Sequence, residues 1–386
     1  MIVSRKKVII LMIVFSMMAV SVWSDRSFAA EGIAKFSKVN GEVRIKSRYR
    51  AKGKWLRVKK AGVTLFNGDE VKTLVGSADL TFNDGSLMKI SENSSLMIEE
   101  RPTKKKLFGF IDMSYMNRNV KVSFGKLWAN VKRARGMWTS FESRVAVAGI
   151  KGTTVSLYVD TRGDMKFSNE EGEVEIAKHD GAFTLKLDNG RDVWIKAEEG
   201  DRTLIQSVNG EMDIRTDDVA IELGDKNAII LGIAGDDTFI ETTDFSKGTV
   251  KIIASVANIN LDAGESVNIR SDNAKNEIKL IVPDDSNGDI GVKITNVLAT
   301  LDPGEAILIK VDEVREIATI IILKSINGIY ILIAEGRTYN LGQGDTMEVE
   351  TWVFPSDPMD ALELDEYEPP DLPEIVEESP ASPVLP

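Results

Sequence analysis

The chain of 386 residues has no cysteine and a single histidine, His179. The first absence excludes disulfide staples, thiolate metal sites, thiol nucleophiles and a lipid-modified N-terminal cysteine. The second leaves no Ser-His-Asp triad, histidine pair or histidine-rich metal site that does not borrow His179. Proline is nearly missing from the body, since eight of the eleven lie in residues 355–386. Beyond the first 20 residues no apolar run approaches the roughly 20 residues that a membrane-spanning helix takes. The greasiest stretch, Ile317 to Leu323, is of strand length. No glycine loop precedes a helix in the manner of a phosphate cradle; the glycines punctuate strand-like runs instead.

What is present is turn chemistry. Asn-Gly pairs stand at Asn40-Gly41, Asn67-Gly68, Asn189-Gly190, Asn209-Gly210, Asn287-Gly288 and Asn327-Gly328, and Asp-Gly pairs at Asp84-Gly85 and Asp180-Gly181. Tight two-residue hairpins need positive φ at both central positions, which these residues tolerate best. Most pairs are flanked by runs of Val, Ile, Leu and Phe. The chain therefore reads as strand, turn, strand over nearly its whole length, and its fold class as all-β.

The two ends differ from the body. Arg5, Lys6 and Lys7 precede an apolar stretch from Val8 to Val20, and Ser27 and Ala29 place small residues before a cut after Ala29. Residues 1–29 are expected to be a signal peptide, with an uncleaved anchor as the alternative, so that the protein is periplasmic or secreted. Residues 355–386 hold ten acidic residues and no basic one. Such a segment cannot bury enough apolar surface to offset its ordering entropy, roughly 1–2 kcal/mol per residue, and it is expected to be a disordered acidic tail.

Charge is divided along the chain. Residues 30–160 carry 25 Lys and Arg against 12 Asp and Glu, and residues 161–386 carry 19 against 47. The basic residues cluster at 44–60 and at 104–135. Arg44, Lys46, Arg48 and Arg50 alternate at period two, as the solvated face of a strand would, and that reading is preferred. The alternatives are a patch for lipid headgroups, an envelope protein or an anionic envelope polymer, with nucleic acid ranked below them. A third is docking of the basic half on the acidic half.

The first module spans residues 36–176. Within it stand Gly68-Asp69-Glu70-Val71-x-Thr73, Asp84-Gly85-Ser86, Gly149-Ile150-Lys151-Gly152-Thr153 and Glu171-Gly172-Glu173-Val174. In this order and rough spacing they resemble the FecR-like domain family, over about a third of the chain. The resemblance implies an all-β extracytoplasmic module with Gly68, Asp69, Thr73, Asp84, Gly85, Gly149, Lys151, Gly152, Thr153 and Gly172 as structural motif residues. Lys151 stands where arginine is more usual, and residues 101–119 read as an inserted excursion that breaks the strand pattern. The best-known members regulate a sigma factor across a membrane. Only seven residues precede the apolar stretch here, so no cytoplasmic sigma-binding domain is expected and that role is not carried over. The small residues and two glycines from Val145 to Val155 read as one buried strand approached closely by a neighbour.

Residues 177–354 contain an internal repeat. Gly248, Gly288 and Gly328 are spaced by 40, as are Gly264, Gly304 and Gly344 and also Leu261, Leu301 and Leu341. Units at about 225–264, 265–304 and 305–344 each have room for four short strands, which predicts a stacked β-repeat array, solenoid-like or sandwich, rather than a propeller. The Gly-acid step at Gly264-Glu265, Gly304-Glu305 and Gly344-Asp345 is shared with Gly68-Asp69.

No constellation points firmly to chemistry. Asp285-Ser286-Asn287-Gly288-Asp289 has oxygens at alternate positions, but its glycine is misplaced for a calcium loop and a plain turn is the reading taken. Paired acids could serve glycoside hydrolysis, yet acidic turns in an acidic chain are the ordinary case. Trp55, Trp128, Trp138, Trp194 and Trp352 could line a sugar-binding face, although core or edge packing is the commoner use. The expected function is therefore a non-enzymatic envelope binding or scaffold protein without cofactor. The rivals are a sensory subunit with a separate membrane partner, and a carbohydrate or wall-polymer binding protein or enzyme.

Overall fold

The computed structural model describes residues 32–47, 49–50, 53–107, 111–134, 136–255, 257–272, 274–294, 297–312, 314–326, 328–333 and 338–350. The expected signal segment and acidic tail lie outside the described residues. Among the described residues the chain is β throughout, with one 3-10 turn at Glu199–Asp201 and no α-helix. No helix there is long and apolar enough to cross a membrane.

The first strands are β1 (Gly32–Lys46), β2 (Trp55–Val58), β3 (Thr64–Phe66), β4 (Asp69–Phe82), β5 (Leu87–Ile90), β6 (Ser94–Leu107), β7 (Ile111–Asn130), β8 (Met137–Glu142) and β9 (Ala146–Ile150). Next come β10 (Thr154–Val159), β11 (Met165–Glu171), β12 (Val174–Lys178), β13 (Thr184–Leu187), β14 (Asp192–Ala197), β15 (Thr203–Asn209), β16 (Met212–Arg215) and β17 (Ala220–Leu223). The 40-residue units supply β18 (Ala228–Ala234), β19 (Asp237–Thr242), β20 (Val250–Ala254), β21 (Ala257–Leu261), β22 (Ser266–Asp272), β23 (Glu277–Ile281), β24 (Ile290–Ile294), β25 (Val297–Leu301), β26 (Ala306–Asp312), β27 (Ile317–Lys324), β28 (Ile329–Ile333), β29 (Thr338–Leu341) and β30 (Thr346–Glu350).

Backbone pairing sorts the strands into two layers. Layer A runs β3-β1-β4-β5-β7-β10-β11-β14-β15-β18-β19-β22-β23-β26-β27-β30. Layer B runs β2-β1-β4-β6-β7-β8-β9-β12-β13-β16-β17-β20-β21-β24-β25-β28-β29. Every pairing is antiparallel except that of β7 with β8. Along most strands inward side chains alternate with outward ones among the described residues, and those of both layers merge into one apolar core. Phe36, Phe141, Phe167 and Phe183 fill its first half. From β14 onward the core is almost wholly Ile, Val, Leu and Ala.

At the N-terminal end β1, β4 and β7 are long enough to belong to both layers, so each must fold over between them. Glycine makes this possible. A Cβ on Gly76 would lie 2.7 Å from the amide nitrogen of Glu42, and Gly125, at φ +116°, lies against Ser94. From β10 onward the pattern is regular: a hairpin in layer A, a crossover, a hairpin in layer B, and a crossover back. Each hairpin begins and ends on the same side, so these crossovers line one edge of the sandwich and the hairpin tips line the other. Four strands make one repeat, and β19, β23 and β27 begin at Asp237, Glu277 and Ile317, 40 residues apart.

The corners show why glycine and acid recur. Gly264, Gly304 and Gly344 sit at φ +80°, +84° and +90° in the crossovers from layer B to layer A. The next residue turns its carboxylate back to accept an amide three residues earlier. Glu265 accepts from Asp262 N at 2.7 Å, Glu305 from Asp302 N at 2.9 Å and Asp345 from Gly342 N at 2.8 Å. Asp69 accepts from Phe66 N at 2.8 Å in the first module, so one local device serves both regions.

Several sequence expectations are corrected here. Asp84-Gly85 and Asp180-Gly181 do close hairpins, β4-β5 and β12-β13. The Asn-Gly pairs do not. Asn40-Gly41 lies inside β1, and the others stand where the chain passes from one layer to the other, Asn327 itself being outside the described residues. The asparagine amide reaches a neighbouring segment: Asn67 exchanges two 2.8 Å bonds with the Glu100 backbone, and Asn209 donates to Gly190 O at 2.8 Å. Residues 101–119, expected to break the strand pattern, continue it: β6 and β7 pair without interruption from Leu96↔Val122 to Leu107↔Ile111. The buried strand expected across residues 145–155 is two strands with a crossover between them, since β9 ends at Ile150. Among the described residues the basic and acidic halves are successive lengths of one stack, and neither docks on the other.

Candidate functional site

The ten motif residues do not gather into one site. Gly68 and Asp69 form a crossover corner. Asp69 is fully buried, and burial pushes its carboxyl up against the lowering effect of the Phe66 amide. Thr73 pins β4, donating to Ser91 O at 2.6 Å and accepting from Ser94 N at 3.0 Å. Along the crossover edge Asp84 and Gly85 turn the β4-β5 hairpin, and Ser86 Oγ accepts from Lys132 N at 3.0 Å. Beside it Val131 and Thr153 exchange two backbone bonds. Gly152, at φ +66°, and Gly172, at φ +96°, complete this edge; a Cβ on Gly172 would lie 3.1 Å from Gly152 O. Gly149 stands apart in β9, where a Cβ would make only an ordinary 3.8 Å contact. Lys151 reaches over the Trp138 ring at 5.4 Å. These contacts are structural, and they hold corners together.

One buried cluster escaped the sequence reading. Arg118 is 1% exposed, bonds Asp84 at 3.0 Å and Glu100 at 2.8 Å, and lies 3.8 Å from the Phe82 ring centre. It joins layer B to layer A at the crossover edge. Burial alone would raise the Asp84 carboxyl, but the Arg118 charge and the bonds from Ser86 outweigh it and hold the group below its ordinary range. The clue was parity: Arg118 shares its face with Val120 and Val122. His179 is a tip residue whose Nε2 lies 2.8 Å from Ser143 O. Among the described residues no three His, Asp or Glu side chains gather to hold a metal ion. Asp285 to Asp289 form a crossover in which Ser286 Oγ accepts from Ser266 N at 3.1 Å.

The tryptophans are where the surface becomes distinctive. None of the four described lies in the core. Each stands on an outer sheet face beneath a lysine: Lys46 is 5.9 Å from the Trp55 ring centre, Lys89 4.7 Å from Trp128, Lys151 5.4 Å from Trp138 and Lys196 4.2 Å from Trp194. Of the expected core or edge packing, the core half is overturned, while Trp55 does stand on an edge strand, β2. The period-two alternation carried the signal, because Trp194 shares parity with Asp192 and Lys196 while Val193 and Ile195 point inward.

On layer A these residues fall into register. One row crosses the strands as Lys126, Tyr158, Lys166, Trp194 and Gln206. The adjacent row reads Lys89, Trp128, Ser156, Ser168 and Asp192. Trp128 Nε1 donates to Glu170 Oε2 at 3.0 Å, which holds the indole in place, and Lys166 approaches Asp192 at 3.8 Å. Tyr158 is 43% exposed. Lys89, Lys126 and Lys196 make no ion pair among the described residues. The strip continues to Arg202, whose guanidinium is 4.5 Å from the Phe239 ring centre and 3.9 Å from Glu241. Gly232 allows this, since a Cβ there would press on Arg202 at 3.3 Å. A shallow depression of about 530 Å³ opens beside that pair, reaching Asn268 and Pro283. From β5 to β19 the strip crosses eight strands, about 34 Å at the usual interstrand spacing.

Fold and strip together define a class: a two-layer β-repeat rod with an aromatic and cationic outer face. No family model matches the chain, and no curated protein matches it. Two crystal structures, at 1.65 and 2.50 Å resolution, of a Parabacteroides distasonis ATCC 8503 protein provisionally assigned as an anti-sigma factor are similar to part of it. They are 18% and 17% identical, each with a TM-score of 0.28. The match covers 36% of this chain and 59% of theirs.

Proposed function

We propose that this protein is a non-enzymatic binding scaffold of the extracytoplasmic space, built on a FecR-like module that a β-repeat array extends. The observation that carries the reading is the layer A strip. Its aromatic rings and cations are held in register by eight neighbouring strands, so the backbone platform is preformed and only the lysines over Trp128 and Trp194 must swing aside to receive a partner. The order of the FecR-like motifs and the signal-like N-terminus support the placement outside the cytoplasm. The polar groups of the motif residues Asp69, Asp84 and Thr153 are engaged in holding corners, which favours binding over turnover.

Fractionation followed by pull-down with the full chain tests this. The expected result is a protein in the extracytoplasmic fraction that retains envelope material. A chain found wholly in the cytoplasm, retaining none, would refute the reading. Recovery of one integral membrane protein in fixed ratio would instead assign a sensory subunit's role.

A further inference from the structure

We propose that the layer A strip binds an acidic polysaccharide, laid across the strands along the axis of the stack. The inference rests on the scaffold reading above and names the chemistry of its ligand.

The geometry points to an extended chain. Tyr158 and Trp194 belong to one cross-strand row and are separated by the single strand β11. Two interstrand spacings put their rings about 9.6 Å apart, the reach of about two sugar units of an extended glycan. Trp128 lies on the neighbouring row, one strand from Tyr158. Pyranose rings present flat C–H faces that stack on such platforms. Lys126 and Lys166 flank Tyr158 on either side and suit carboxylates spaced along the polymer.

The polar groups between the rings decide the class of polymer. Glu170, Asp192, Glu241, Ser156, Ser168 and Gln206 share the outward face with the cations. Carboxylates and hydroxyls accept hydrogen bonds from sugar hydroxyls, which a glycan supplies at every unit. A single-stranded DNA also stacks on aromatic rings, but its deoxyribose-phosphate backbone has no hydroxyl donors to offer the three carboxylates interleaved with the lysines, whereas a glycan's hydroxyls pair with them. A neutral glycan would bring no counter-charge to Lys126 or to the lysines displaced from the Trp128 and Trp194 rings. A uronate polymer matches rings, acceptors and cations together.

The test is a titration of the full chain with octagalacturonate, followed by tryptophan fluorescence and calorimetry. Cellohexaose and an oligothymidylate of matched charge serve as the other arms. Saturable binding of the uronate oligomer is expected, with Tyr158→Ala/Trp194→Ala weakening it about tenfold or more and Lys126→Ala/Lys166→Ala weakening it and flattening its salt dependence. Trp138→Ala, on the opposite outer face, should leave it unchanged. Thermal melting separates lost binding from lost fold, and Trp194→Phe should restore part of the affinity. Preference for the oligothymidylate or cellohexaose, no saturable uronate binding, or equal binding by the Tyr158/Trp194 variant would each overturn the inference. If envelope material is still retained in pull-down by that variant, the ligand assignment falls and the scaffold reading stands.

Discussion

Arg118 is the residue on which the first module turns. It is a cation taken out of water, compensated by two carboxylates and an aromatic face. Removing one member of such a set leaves the others buried without a counter-charge, at a cost of about 3–5 kcal/mol. Arg118→Ala is expected to lose that much in denaturant unfolding. Arg118→Met restores volume but not charge, and should still be destabilised. The pH dependence carries the sign. Asp84 has a lowered native pKa, so the unfolded state binds more protons in the window below about 3.9. Its contribution is complete above that window and is lost as the pH falls through the native value. Without Arg118 only the Ser86 bonds oppose burial, so the slope from Asp84 should shrink. An unchanged acid limb in Arg118→Met would contradict this account. The residue was readable as an anomaly, a charge with the parity of Val120 and Val122, but its partners were not. Asp84 and Glu100 are distant in sequence, and only the layered pairing brings them to it.

At the scale of the element, the crossover corner is the recurring unit. Glu265 is largely buried, and burial pushes its carboxyl up while the Asp262 amide opposes the shift. A raised carboxyl favours folding most in acid, and that contribution is lost as the pH rises through and beyond about 4.3, where the unfolded state ionises first. The corner needs the acceptor more than the charge. Glu265→Gln keeps an oxygen for Asp262 N and should remain within about 0.5 kcal/mol of the parent at neutral pH. Glu265→Ala leaves that amide without its partner and should cost about 1–3 kcal/mol. Equal losses in both, measured by denaturant unfolding, would show that charge matters more than the bond. The Gly-acid spacing was legible because three copies repeat it. The role of the Asn-Gly pairs was not, since a hairpin and a crossover make the same demand for positive φ and the dipeptide cannot say where the next strand pairs.

At the scale of the whole molecule, all-β architecture and a 40-residue repeat were legible, because alternation and glycine phase are local properties. The two continuous layers were not. Strands such as β11 and β14 pair across an intervening hairpin of the other layer, and no local pattern records that. Each repeat touches only its neighbours, so stability should accumulate unit by unit. A chain ending at Asp302 loses β26 to β30 yet keeps every pairing of β1 to β25. It is expected to retain the β circular dichroism of its remaining residues and to melt somewhat lower. Collapse of the entire spectrum would mean that the stack folds only as one block.

The strands lie across the axis of the stack, and the first and last of them stand at its opposite ends. Tension applied between those ends would therefore peel ladder bonds one after another, as a zipper opens, rather than shear many at once. Each 40-residue unit holds up to roughly 140 Å of contour behind about 10 Å of rod. Stretched between two anchors, such a rod would pay out slack in small steps at low force and keep its unpeeled length, with the layer A strip, intact.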